Sequence, residues 1–240
     1  MEIQVAVAKI NKHGSEESGD TLELVERPGG GISVVMADGK ASGHEAKSVS
    51  AMVVRRVIGL LADGVRDGAA ARAASDTLYT ERSGRAGVYL NILSADLQTG
   101  TLVLSRNNPT PVFIAQNERV ECISTESGAI GVARSVRPSI SEIPLQVWMT
   151  VVMYTDGVSH AGEASGESLD ICTHLLAMIE EQSPTAQQIA DSLLQQAVRL
   201  DHGRPNDDMT VVALCVFPST GDPIRRLSAR FPVPEYPQDQ

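Results

Sequence analysis

The chain has 240 residues, 42% apolar and 21% charged, with a formal net charge of −10. That is enough apolar material for a sizeable core in one generous domain or two small ones. The acidic balance excludes a nucleic-acid partner, because phosphate backbones demand clustered Lys and Arg, and the one tight basic pair, Arg225-Arg226, lies in the tail.

In chain order, residues 4–10 alternate as a first strand and 12–20 read as a loop carrying Gly14, Ser15, Ser18 and Gly19. Residues 21–27 form a second strand. The Pro28–Gly31 turn leads back into 32–37, so 22–37 reads as an antiparallel hairpin whose open end brings Asp20 toward Asp38. A helix is expected over 43–61. Ser42 and Glu45 have capping-box spacing, and Val49, Met52, Val53, Val57, Leu60 and Leu61 mark one buried face. An Asp/Gly link precedes a second, Ala-rich helix over 69–79.

From 88 to 155 the texture changes to short strands at 88–95, 101–105, 111–115, 119–123 and 139–143, with a doubly buried one at 147–155. Helices return at 169–182 and 185–200, the latter with Ser183 as N-cap and Pro184 in first position. A last apolar strand occupies 209–217, and the Pro-rich tail 218–240 is expected to be flexible. Segregated strands and helix pairs indicate an α+β layered domain over 1–217.

Cys122, Cys172 and Cys215 are odd in number and widely spaced, which fits reduced thiols in a cytoplasmic protein. No signal peptide is evident, and the longest apolar stretches fall short of the ~20 residues a spanning helix needs, so no membrane partner is expected.

Chemistry concentrates at acids. Four Asp-Gly pairs occur; Asp63-Gly64 and Asp67-Gly68 read as punctuation between helices, whereas Asp38-Gly39 and Asp156-Gly157 each end an apolar strand, and Asp207-Asp208 begins one. If those three strands are neighbours, with the last antiparallel to the others, the acids meet at one sheet edge. Carboxylates brought together repel unless a cation lies between them. Every candidate ligand is an oxygen, which selects Mg²⁺ or Mn²⁺ over zinc, and Gly39 would let its carbonyl approach the ion closely. Two such ions would activate a shared water for attack on phosphorus.

The segment ADGKASGHEAKS resembles the metal-binding motif of the SpoIIE-like branch of PP2C-type (PPM) serine/threonine phosphatases. YTDGVSHA resembles its second acidic motif and NDDMTVV its third, in the right order over about 3–217. Ser18-Gly19-Asp20 and SRNNPTPVFI are also similar to the family, the latter where many members have Ala-Gly-His-Pro. The resemblance implies a four-layer α-β-β-α sandwich, a central antiparallel β-sandwich flanked by helix pairs, with a binuclear Mn²⁺/Mg²⁺ centre. It implies hydrolysis of phosphoserine or phosphothreonine on a phosphorylated protein, of the STAS-type anti-sigma-factor antagonist or stress-response kind.

Carried over by motif, the catalytic acids would be Asp38, Asp156 and Asp207. Asp38 would bridge both ions, Gly39 would offer its carbonyl, and Asp156 and Asp207 would hold one ion. Asp208 would support the site, and Asp20 would reach the second ion through water. Ala41 departs from the family's Gly. Lys40 stands where eukaryotic relatives carry a His proposed as general acid, and either attracts phosphate or is simply solvated, the default for an exposed Lys. His44 and His160 read as surface residues. The alternatives are a catalytically weak phosphoprotein-binding pseudophosphatase and a small-molecule phosphoesterase.

Overall fold

Ten strands build two antiparallel sheets in the computed structural model, which describes residues 1–125, 127–181 and 183–232. In chain order the elements are β1 (Glu2–Ile10), β2 (Asp20–Glu26), β3 (Gly31–Gly39), α1 (Gly43–Ala62), α2 (Asp67–Arg82), β4 (Val88–Asp96), β5 (Thr101–Asn107), β6 (Val112–Gln116), β7 (Arg119–Ile123), β8 (Ser139–Pro144), β9 (Thr150–Tyr154), α3 (Asp156–Ser159), α4 (Ile171–Glu181), α5 (Ala186–Leu200) and β10 (Met209–Phe217). One sheet runs β1-β10-β9-β6-β7 and the other β2-β3-β4-β5-β8.

The period-two alternation of each strand fixes the layers. Along β3, Val34 and Met36 turn toward the facing sheet and, with Leu93 and Leu104 of their own sheet, share a core with its Met153 and Leu214. Val35 and Ala37 turn the other way onto Val49, Val53 and Val57 of α1 and Ala70 and Ala74 of α2. A third core lies between the other sheet and α4–α5, around Leu175, Ile189 and Leu193. Each large aliphatic side chain so enclosed stabilises the fold by about 1.5–3 kcal/mol. The result is the expected four-layer α-β-β-α sandwich.

Several local expectations change. The strands bearing the acids are not neighbours in one sheet: β3 belongs to one sheet and β9 and β10 to the other. The acids therefore approach each other across the mouth of the sandwich. Ser42 precedes α1 but makes no side-chain capping bond. Gly43 enters that helix at φ +58, a left-handed turn that swings the preceding residue away from the helix axis. α5 is capped by Thr185 rather than Ser183, in a reciprocal box with Gln188. α2 begins at Asp67, so one of the two supposed punctuation pairs starts a helix. β9 begins at Thr150 because Trp148, at φ +65, breaks the extended run. The helix end expected at Gln182, and the tail from 233 on, lie outside the described residues.

Candidate metal centre

Strand register places the site. In β2 and β3, Asp20 lies opposite Asp38, and β4 continues the same rung with Tyr89 opposite Asp38. In the facing sheet Lys9 of β1 pairs with Thr210 of β10, and the main-chain N–H of Thr155, just past β9, donates to the Thr210 carbonyl at 3.0 Å.

Asp20 joins the two sheets. Its carboxylate accepts from the Thr155 hydroxyl at 3.0 Å and the Thr210 hydroxyl at 2.5 Å, and the residue is 1% exposed. Its main-chain carbonyl accepts from Lys9 Nζ at 2.8 Å and Lys47 Nζ at 3.0 Å. Burial pushes the Asp20 carboxyl up to about 7, against the two hydroxyl bonds and the Lys9 charge, which pull it down.

Asp38 ends β3 half-buried, with its side chain hydrogen-bonded to that of Asp156 at the start of α3. Burial, followed by the charges of Asp20, Asp156 and Asp207, raises its carboxyl to about 8. Burial and then the Asp207 charge raise Asp156 as well, while His160 opposes them. Carboxylates from both sheets thus feel one another in a partly enclosed space, and desolvation and like-charge repulsion act in the same direction.

The two Asp-Gly turns pack tightly. A side chain on Gly39 would meet the Ala46 carbonyl oxygen at 2.3 Å, and one on Gly157 the Asp208 carbonyl oxygen at 2.2 Å. The first contact sets the Asp38-Gly39 turn against α1. The second sets the Asp156 turn against the Asp207-Asp208 turn. A cleft of about 270 Å³ opens beside them, lined by Gly157, His160, Glu163 and Asp207 among others.

Asp208 is engaged differently from its neighbours. Its carboxylate accepts from Lys12 N at 2.9 Å and Gly19 N at 2.7 Å, so it holds the β1–β2 loop in place. His44 is exposed and pairs with Glu17 at 3.1 Å.

The donor set fits a hard divalent cation: oxygen only, anionic, converging from both sheets, and destabilised by its own charge. Asp38 and Asp156 are in contact, whereas Asp207 acts on them through its field. Among the described residues no three His, Cys, Asp or Glu side chains are already gathered at ligand spacing. A bound Mn²⁺ or Mg²⁺ would supply an activated water and neutralise charge.

Sequence reasoning missed Thr155, Thr210, Lys9, Lys47 and Tyr89. The two threonines had a visible signal, since each is a hydroxyl at the end of an otherwise apolar strand. The lysines and Tyr89 had none, because their roles depend on which strands and helices meet.

A family model described as "Stage II sporulation protein E (SpoIIE)" matches residues 28–217. A SpoIIE from Priestia megaterium is 23% identical over 210 residues, which cover 88% of this chain and 36% of that relative, so the chain spans about a third of its length. Among solved structures, the PP2C phosphatase domain of SpoIIE from Bacillus subtilis, with a fragment of its regulatory domain, superposes with a TM-score of 0.77 at 20% identity, over 91% of this chain and 64% of that one. The catalytic domain of the phosphatase PstP, in complex with two manganese ions, gives 0.69 at 16% identity, over 90% and 99%.

Proposed function

Because the chain belongs to the SpoIIE family of PP2C-type serine/threonine phosphatases, we propose that it removes phosphate from phosphoserine or phosphothreonine on a bacterial signalling protein. The substrate class is a phosphorylated anti-sigma-factor antagonist of the STAS type. In this reading Mn²⁺ or Mg²⁺ is held by Asp38, the Gly39 carbonyl, Asp156 and Asp207. Asp20 acts through water, and Asp208 keeps the β1–β2 loop against the site.

The observation that carries this reading is the state of Asp38. A fold gains nothing by bringing the Asp38 and Asp156 carboxyls into contact within the field of Asp20 and Asp207, since unpaired like charges in a desolvated site oppose folding. The arrangement is accounted for by a cation that binds there and by an anionic ester attracted to that cation. The protein's own part is to hold the acids at the mouth, to seal Asp20 between the sheets, and to leave the cleft beside Asp207 open for the flanking substrate chain.

The test is phosphate release from a phosphoserine peptide and from p-nitrophenyl phosphate, with and without Mn²⁺. Mn²⁺-stimulated turnover that is lost in Asp38→Asn and Asp156→Asn supports the reading. Metal-independent turnover, or tight phosphopeptide binding with no hydrolysis at saturating Mn²⁺, overturns it.

A further inference from the structure

Tyr89 shares a rung with Asp38. Directly opposed residues of an antiparallel pair project from the same face with Cβ atoms roughly 5 Å apart, so half-buried Tyr89 leaves β4 on the face that carries Asp38, at the sandwich mouth. Its position is fixed by Lys40. The Lys40 main-chain N–H donates to the Gly87 carbonyl at 2.9 Å, which draws the residue against the start of β4. Its Nζ donates to Tyr89 Oη at 2.7 Å and lies 4.3 Å from the ring centroid. Lys40 is therefore not merely a solvated side chain.

This geometry leaves one donor unspent. The ammonium occupies an acceptor lone pair of Tyr89 Oη in a solvent-exposed contact, so the phenol's own O–H can turn to a ligand at the mouth. The other two lysines beside the acids, Lys9 and Lys47, each donate to the Asp20 carbonyl. The Tyr89 O–H, polarised by Lys40, is a donor on the Asp38 face.

We propose that Tyr89 is a catalytic residue that hydrogen-bonds to the leaving-group oxygen of the phosphate ester, and that Lys40 is the residue that positions it. The inference rests on the phosphatase reading above. In hydrolysis the oxygen of water bonds to phosphorus and the bond from phosphorus to the serine Oγ breaks, with its electron pair going to Oγ. The Tyr89 O–H stabilises the charge that accumulates there. The departing alcohol takes its proton from solvent, to which the attacking water has given one up, so neither Tyr89 nor Lys40 is consumed. A fixed donor aimed at developing charge is a recognised source of rate acceleration, on the order of 10²–10³-fold for one such bond.

The dependence on leaving group tests this. A serine alkoxide needs the stabilisation far more than p-nitrophenolate, which spreads its own charge. With the full chain and saturating Mn²⁺, Tyr89→Phe is expected to lower kcat about 100-fold on a phosphoserine peptide and only a few-fold on p-nitrophenyl phosphate, with phenyl phosphate between. Lys40→Met should show the same ordering with smaller losses, and Lys40→Arg should restore most of the loss. The Mn²⁺ concentration giving half-maximal thermal stabilisation should stay at the wild-type value, which a general disturbance of the site would shift. Equal losses on all three esters, or no loss on phosphoserine, overturns the inference and leaves the phosphatase reading standing. A wild-type protein without Mn²⁺-stimulated turnover removes that reading, and the inference with it.

Discussion

Asp20 and Asp38 face each other across one rung of the β2–β3 ladder, the first sealed at 1% exposure and the second half-buried at the mouth. Two like charges on one rung are a cost built into the metal-free fold.

Without metal, the protein should lose stability as pH rises from about 4 to about 8. The folded-state values of Asp20, about 7, and Asp38, about 8, both lie above the ordinary 3.8. Between the ordinary and the raised value the folded chain holds a proton that the unfolded chain has released. Stability therefore falls with pH, by up to about 1.4 kcal/mol per pH unit for each group. Urea denaturation in EDTA at pH 5 and pH 8 measures the difference. A protein more stable at pH 8 would contradict the burial and crowding described for these carboxyls.

Asp38→Asn should stabilise the metal-free protein at pH 8 and abolish its response to Mn²⁺. The amide keeps the shape and the hydrogen bond toward Asp156 while removing the charge that Asp20, Asp156 and Asp207 all act on. A gain of about 1–2 kcal/mol is expected, or several degrees in Tm for the metal-free form. Wild type should instead gain stability as Mn²⁺ is added, through binding to the folded state alone. Thermal melts of both proteins across a Mn²⁺ titration give the two curves, which should cross.

The contrast between these acids and their supports shows how far the sequence could be read. Asp38 and Asp156 were visible because each ends a hydrophobic strand abruptly and Asp207 because it stands just before one, and the hairpin that pairs Asp20 with Asp38 followed from alternation and a Gly-rich turn. The strand order was not visible. Nothing in the alternation of β9 and β10 says that they lie across from β3 rather than beside it, because apolar runs are equally apolar in either sheet. For the same reason the Thr155 and Thr210 bonds to Asp20 were out of reach. Asp67 was misread for another reason: Asp-Gly is a frequent turn, and only the meeting with Arg27 makes it a buried helix start.

Thr210→Val should destabilise the protein by about 1 kcal/mol, the usual net worth of one lost hydrogen bond, since the Asp20 oxygen keeps its bond from Thr155. Its hydroxyl makes the shorter of the two bonds to the Asp20 carboxylate, and the replacement keeps the shape while removing the donor. Combining it with Asp20→Asn should cost less than the sum of the two single changes, because both act on one interaction. A double-mutant cycle by urea denaturation in EDTA checks this; strict additivity would mean that Thr210 supports something other than Asp20.

Asp67→Ala should be among the most damaging single changes outside the acidic centre. The carboxylate, 4% exposed, pairs with Arg27 Nη1 at 2.5 Å and accepts from the Ser94 hydroxyl at 3.0 Å, while the same guanidinium donates to the Val65 carbonyl at 2.9 Å. Removing the acid strands a largely buried guanidinium, and breaking such a pair from one side costs about 3–5 kcal/mol. Replacing both partners should be milder, since the uncompensated charge leaves with its counter-ion: Arg27→Met with Asp67→Ala should recover part of the loss. Recovery in the double variant, read by urea denaturation, separates a penalty of stranded charge from simple loss of packing at the start of α2, which the second substitution would only deepen.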